Sequence, residues 1–227
     1  MSNMQKWRRR ATSVAVFTAL AGAVPGWAQA GSAAVGARPT ASTATPPEAV
    51  QSMLQWVLQH GDNDGAPFAV IDKRHAHLWL FDAAGRAKGN TPVLLGLARG
   101  DASVPGIGDR PMAEIEPHER TTPAGRFVAE RGRNMKGEDI FWIDYDAAVS
   151  MHRVRANNPV ERRLQRLATP TADDNRISYG CINVPAAFYD RAIDPLFTAS
   201  RPVVYLLPET MPLESLFTPQ RSSLTAP

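Results

Sequence analysis

The sequence predicts a mainly-β fold, a sandwich or barrel with a few short helices. Three observations carry this. Short runs rich in Val, Ile, Leu and aromatic residues recur between residues 63 and 208, among them Phe68-Ala69-Val70-Ile71, Leu78-Trp79-Leu80-Phe81 and Pro202-Val203-Val204-Tyr205-Leu206-Leu207. Turn-forming residues separate these runs, as in Asp72-Lys73-Arg74 and Ala84-Gly85. Helical periodicity is confined to short stretches, and many strands with few helices pack as a sandwich or close into a barrel.

Residues 1–30 read as a secretory leader. Lys6, Arg8, Arg9 and Arg10 form a basic start, Ala11 to Val24 is uncharged and mostly apolar, and Ala28-Gln29-Ala30 fits a small-x-small cleavage site. The apolar run is shorter than the about 20 residues a membrane-spanning helix needs, so no membrane anchor is expected after cleavage. Arg8-Arg9-Arg10 hints at twin-arginine export, but the residues after it favour the general secretory route. Cleavage after Ala30 leaves 197 of the 227 residues and takes the formal net charge from +3 to −1. Such a chain lacks the clustered Lys/Arg of a nucleic-acid footprint.

Residues 31–46, rich in Ala, Gly, Ser, Thr and Pro, read as a flexible linker. A short helix is expected over 47–62, where Val50, Met53, Leu54 and Val57 fall on one face and Gly61 ends the pattern. The main domain follows over 63–208. Its expected strands are 68–71 and 78–81, paired as a hairpin, then 91–96, 126–129, 139–143, 147–151 and 202–207. Residues 101–117 read as a loop. A short helix carrying Arg162, Arg163 and Arg166 is expected within the polar stretch 157–174. Pro185 opens a helix that runs to Ile193. The tail over 209–227 is proline-interrupted and loose.

Chemistry concentrates at Ser178-Tyr179-Gly180-Cys181-Ile182-Asn183-Val184-Pro185, which holds the single cysteine. In an exported chain a lone cysteine is an inert buried side chain, half of an intermolecular bridge or a working thiol. The glycine before it and the helix-opening proline after it favour the working thiol. Such a thiol needs a base. Of the five histidines, His60 ends the first helix, His75 and His77 alternate on an expected strand, and His118 lies in a charged loop. No Cys/His/Asp/Glu spacing completes a metal site around His75 and His77. His152 ends the strand 147–151, a rigid place from which to present a base. Phe141 and Trp142 are candidates for core or for cleft lining.

His152 together with Ser178-x-Gly180-Cys181-Ile182-Asn183 resembles the signature of the L,D-transpeptidase (YkuD-type) family. Thr121-Thr122-Pro123-Ala124-Gly125-Arg126-Phe127 resembles that family's Thr-Pro-x-Gly-x-Phe/Tyr segment, and Val70-Ile71-Asp72 through Gly85 its opening hairpin. The likeness spans about Pro67 to Leu207. Three positions depart from the pattern. Tyr179 stands where the family often has His, Arg153 where it often has Gly, and the His152–Cys181 interval of 29 positions is long, with the extra residues in 157–174 as a lid or a surface loop.

The resemblance implies a YkuD-like β-sandwich or barrel, with Cys181 as nucleophile, His152 as base and the carbonyl of Arg153 orienting the imidazole. The N–H groups of Gly180 and Cys181, helped by Tyr179, would stabilise an oxyanion, and Ser178 and Asn183 would fix the loop. It implies acyl transfer on peptidoglycan peptide stems in the periplasm, without metal or organic cofactor, with wall amines or envelope proteins as acceptors and carbapenem β-lactams as inhibitors. Hydrolysis of the same bonds by a carboxypeptidase or amidase, and wall binding without turnover, are the alternatives.

Overall fold

The structure is a computed structural model and describes residues 45–216. The expected leader, all but the end of the linker, and the tail from residue 217 lie outside the described residues. Among the described residues no helix is long and apolar enough to cross a membrane.

Helix α1 (Glu48–His60) opens the described chain. Its Val50, Met53 and Val57 are fully buried, each contributing roughly 1.5–3 kcal/mol of apolar burial. Gly61, at φ 63°, closes the helix in the left-handed conformation that glycine adopts without strain.

A five-stranded sheet follows, built from β1 (Phe68–Asp72), β2 (His77–Phe81), β3 (Ala87–Pro92), β5 (Gly125–Val128) and β11 (Val203–Leu206) in the order β3-β2-β1-β11-β5. Only β1 and β11 pair in parallel. Strand alternation divides its side chains cleanly. Phe68, Val70, Trp79, Phe81, Val203 and Tyr205 face α1, and Ala69, Ile71, Leu78, Leu80, Val204 and Leu206 face a second sheet. Burial on both faces explains why these strands read as continuous apolar runs.

The second sheet has the order β10-β8-β7-β6, from β6 (Glu130–Arg133), β7 (Asp139–Asp144), β8 (Val149–Arg153) and β10 (Ile182–Val184). Phe141, Met151, Ile182 and Val184 point into the core between the two sheets, so the mainly-β architecture is a sandwich. A two-stranded ribbon of β4 (Leu95–Gly96) and β9 (Arg176–Ser178) joins β10 through the Leu94–Asn183 bridge.

Several elements differ from the sequence expectation, each for a local reason. The strand expected over 91–96 is two strands, since Pro92 has no N–H to continue a ladder. β6 has the sequence Glu-Arg-Gly-Arg; a charged edge strand buries little and leaves no apolar signal. β9 and β10 are three residues each, too short for a period to show. The short helix α2 (Arg163–Ala168) forms within the polar stretch, where the arginines suggested one. The helix expected to end at Ile193 begins as α3 (Ala186–Phe188) and runs through a wide turn, Tyr189–Ile193, into α4 (Asp194–Phe197), with Pro195 in the first turn of α4. The loop 101–117 contains two tight helical turns.

Candidate active site

The site lies on the outward face of the second sheet, and strand register places it there. β10 runs parallel to β8 with Ile182 opposite Met151 and Asn183 opposite His152. Because Met151 and Ile182 point inward, Ser150, His152, Cys181 and Asn183 point outward together. Trp142, opposite Ser150 on β7, joins them. These residues line a cleft of about 500 Å³ with Met112, Ala148, Ser178 and Tyr179. Asn157, Asn158, Glu161 and Arg163 of the stretch 157–174 also line it. Trp142 is therefore cleft lining and Phe141 is core.

Cys181 is half-buried. Its sulfur lies 3.5 Å from the Ser150 hydroxyl and donates to the Ala148 carbonyl at 3.7 Å. Among the described residues neither of its hydrogen bonds runs to His152, so the expected nucleophile and base share a wall of the cleft without a bond between them.

His152 is oriented by backbone. Its Nδ1 lies 2.7 Å from the carbonyl oxygen of Arg153. A carbonyl only accepts, so Nδ1 carries the hydrogen and Nε2 keeps a lone pair. Burial lowers the pKa of this imidazole. The Arg153 hydrogen bond and Glu138 oppose the shift, while the charges of Arg155 and Arg163 add to it. This shift favours the neutral ring at neutral pH. The Arg153 side chain turns elsewhere, donating to Asp190 at 2.6 Å and lying over the Tyr189 ring at 4.3 Å.

The cysteine loop is held from within. The Ser178 hydroxyl donates to the Cys181 carbonyl at 2.7 Å and accepts from the Gly180 N–H at 3.1 Å. The buried Asn183 amide donates to the same carbonyl at 3.1 Å and accepts from Arg163 at 2.6 Å. This corrects one expectation. The Gly180 N–H is engaged by Ser178 inside the loop, so it does not face the cleft as an oxyanion donor. Gly180 serves another need: at φ 129° its α-carbon packs so closely on the Thr121 carbonyl that a Cβ there would lie 2.7 Å from that oxygen. Tyr179 lines the cleft with its ring under the Arg120 guanidinium, 4.0 Å away.

Sequence reasoning missed Ser150 and Thr122. Thr122 is fully buried. Its hydroxyl donates to the Gly180 carbonyl at 2.8 Å and accepts from the Gly96 N–H at 2.9 Å. Its own carbonyl accepts from Lys73 Nζ at 2.7 Å. Lys73, also fully buried, lies 2.8 Å from Asp101 and 3.7 Å from Glu209, and Glu209 pairs with Arg176 at the start of β9. The signal was in the Thr-Pro-x-Gly segment, whose contact with the cysteine loop is long-range in sequence.

The remaining histidines stand apart. His75 lies in the β1–β2 turn, 2.6 Å from Asp72, rather than on the strand with His77, whose Nε2 is 2.9 Å from Asn90. His60 ends α1, and His118 is exposed. Among the described residues no three His, Cys, Asp or Glu side chains group as a metal site.

No protein-family model and no curated protein matches the chain. Three solved structures to which it is similar come from different organisms. One is the NMR structure of the catalytic domain of an E. faecium L,D-transpeptidase, at 18% identity and a TM-score of 0.35, covering 63% of this chain and 98% of that one. Another is an L,D-transpeptidase from Stackebrandtia nassauensis, at 17% identity and a TM-score of 0.35, covering 63% of this chain and 55% of that one. The third is an L,D-transpeptidase from Xylanimonas cellulosilytica, at 14% identity and a TM-score of 0.37, covering 62% of this chain and 60% of that one.

Proposed function

We propose that this chain is an exported cysteine acyltransferase that acts on peptidoglycan peptide stems by the L,D-transpeptidase reaction. One observation carries the reading. A half-buried thiol and a neutral imidazole, whose Nε2 has no hydrogen-bond partner among the described residues, line one cleft within the motifs that resemble that family.

The chemistry runs in two halves. Cys181 immediately precedes β10 and His152 lies on the adjacent β8, two residues out of register. Strands about 4.8 Å apart and a rise of about 3.3 Å per residue separate their α-carbons by roughly 8 Å. With the imidazole held by the Arg153 carbonyl, rotation of the Cys181 side chain toward Nε2 narrows that gap, as catalytic contacts often tighten only with substrate bound. Nε2 then takes the thiol proton, and the sulfur attacks the carbonyl of the third, diamino-acid residue of the stem. A C–S bond forms and the carbonyl π pair moves to oxygen. When that pair returns, the C–N bond to the terminal D-alanine breaks and His152 returns the proton to the leaving amine. In the second half an acceptor amine from a neighbouring stem or an envelope protein attacks the thioester and gives its proton to His152. The C–S bond breaks and the thiolate recovers the proton. A second cavity of about 570 Å³ shares Ile140, His152, Arg155 and Asn157 with the first, which puts His152 between two spaces, as an acyl donor and an acceptor require.

The test uses the mature protein. Incubation with a carbapenem should give one covalent adduct by intact mass, absent from Cys181→Ala. Incubation with tetrapeptide stems should release D-alanine. Dimeric products indicate transfer, and trimmed monomers alone indicate the hydrolase. No adduct, together with stoichiometric stem binding that survives Cys181→Ser, replaces the enzyme with a wall-binding protein.

A further inference from the structure

We propose that Thr122 is the positioning residue of the oxyanion donor, acting through the Gly180–Cys181 peptide. A trans peptide plane points its C=O and its N–H in opposite directions. The Thr122 hydroxyl holds the Gly180 carbonyl at 2.8 Å from a fully buried position beneath the loop. The Cys181 N–H must therefore point away from that buried side. Among the described residues it has no hydrogen-bond acceptor, and the neighbouring Gly180 N–H is held by Ser178. The Cys181 amide is thus the donor free for the oxygen of a carbonyl under attack, and Thr122 sets its direction.

Thr122 itself has little freedom. Its hydroxyl is fixed from the other side by the Gly96 N–H. Its carbonyl is fixed by Lys73, which also donates to the Gly100 carbonyl at 2.6 Å and pairs with Asp101. Gly180 has no Cβ to hold the two segments apart. A chain of buried polar contacts thus runs from the Lys73 cluster to the peptide bond beside the sulfur.

The inference rests on the acyl-transfer reading of Cys181, but it needs only acylation and not a wall peptide. The experiment compares two reactions of the same thiol. p-Nitrophenyl acetate acylates it through an oxyanion: the C–S bond forms, the C–O bond breaks and nitrophenolate leaves with the electron pair. Iodoacetamide alkylates it by direct displacement, in which no oxyanion develops. Thr122→Val keeps the side-chain shape and removes both hydroxyl bonds. It should slow acylation about 10- to 100-fold and leave alkylation within about twofold of wild type, while Thr122→Ser, which keeps the hydroxyl, should restore most of the acylation rate.

Equal slowing of both reactions assigns Thr122 a merely structural role and overturns the proposal, as does unchanged acylation or a wild-type thiol that the ester does not acylate. Should Thr122→Val not fold, Thr122→Ala is read in its place. The infrared carbonyl band of the wild-type ¹³C-acetyl thioester gives an independent reading: a band lowered by the amide supports the proposal, and an unshifted band overturns it. Ester acylation with no reaction toward carbapenem or stem peptides would remove the proposed function and leave this inference standing.

Discussion

Gly180→Ala is the substitution whose cost follows most directly from the geometry. The added methyl lies 2.7 Å from the Thr121 carbonyl oxygen and 3.4 Å from Val149 Cγ2. The first contact is with backbone, which cannot swing aside as a side chain can. The position also has φ 129°, where a non-glycine residue is strained by about 1–3 kcal/mol. Gly137 is the control, since its φ of 78° is also positive and its Cβ would meet nothing within 4 Å. Gly137→Ala therefore carries strain alone, and Gly180→Ala carries strain and collision. We expect Gly137→Ala to cost about 1 kcal/mol and Gly180→Ala about 3 kcal/mol or more, since overpacking adds about 1–3 kcal/mol. At about 2–4 °C per kcal/mol for a domain of this size, the second variant should melt roughly 6–12 °C below wild type and the first roughly 2–4 °C below. Scanning calorimetry reads both. Equal melting temperatures for the two variants would refute the packing argument.

Other outcomes follow from the same contacts. Lys73→Met leaves the buried Asp101 without its cation, while Glu209 keeps Arg176, and should destabilise the fold by about 3–5 kcal/mol in urea titrations. Arg155→Gln removes a charge that lowers the His152 pKa, so the acid limb of the pH–rate profile should move upward, toward the ordinary histidine value. Folding should feel the same group. With its folded pKa lowered, the imidazole leaves stability complete above the ordinary value and erodes it as pH falls below, because the unfolded chain takes the proton first. Arg163→Met breaks the charged hydrogen bond to Asn183 at 2.6 Å, a loss of about 1.5–3 kcal/mol between α2 and the cysteine loop, read as faster amide exchange across 157–174.

Much of the fold was legible because its strands alternate between two buried faces. The runs from Phe68 to Asp72, His77 to Phe81 and Val203 to Leu206 supply enough apolar residues for a pattern to show. β6, β9 and β10 escaped because a charged edge and three-residue strands carry no readable period. Cys181 and His152 stood out through residue type and placement. Ser150 and Thr122 did not, because a strand serine and a threonine before proline look ordinary until register and tertiary contact give them partners. The sequence marks Gly180 as a loop glycine whose N–H also donates to an oxyanion. The structure keeps the glycine requirement and assigns the N–H to Ser178, a contact set by loop conformation and not by spacing.

Activation of Cys181 by His152 is read from the pH dependence of Cys181 alkylation. Iodoacetamide rates measured from acid to alkaline pH should show, in the wild-type protein, an inflection below the ordinary histidine value, where the buried imidazole gains its proton. His152→Gln should lose that inflection. Superimposable profiles for the two proteins would remove His152 from the activation of Cys181.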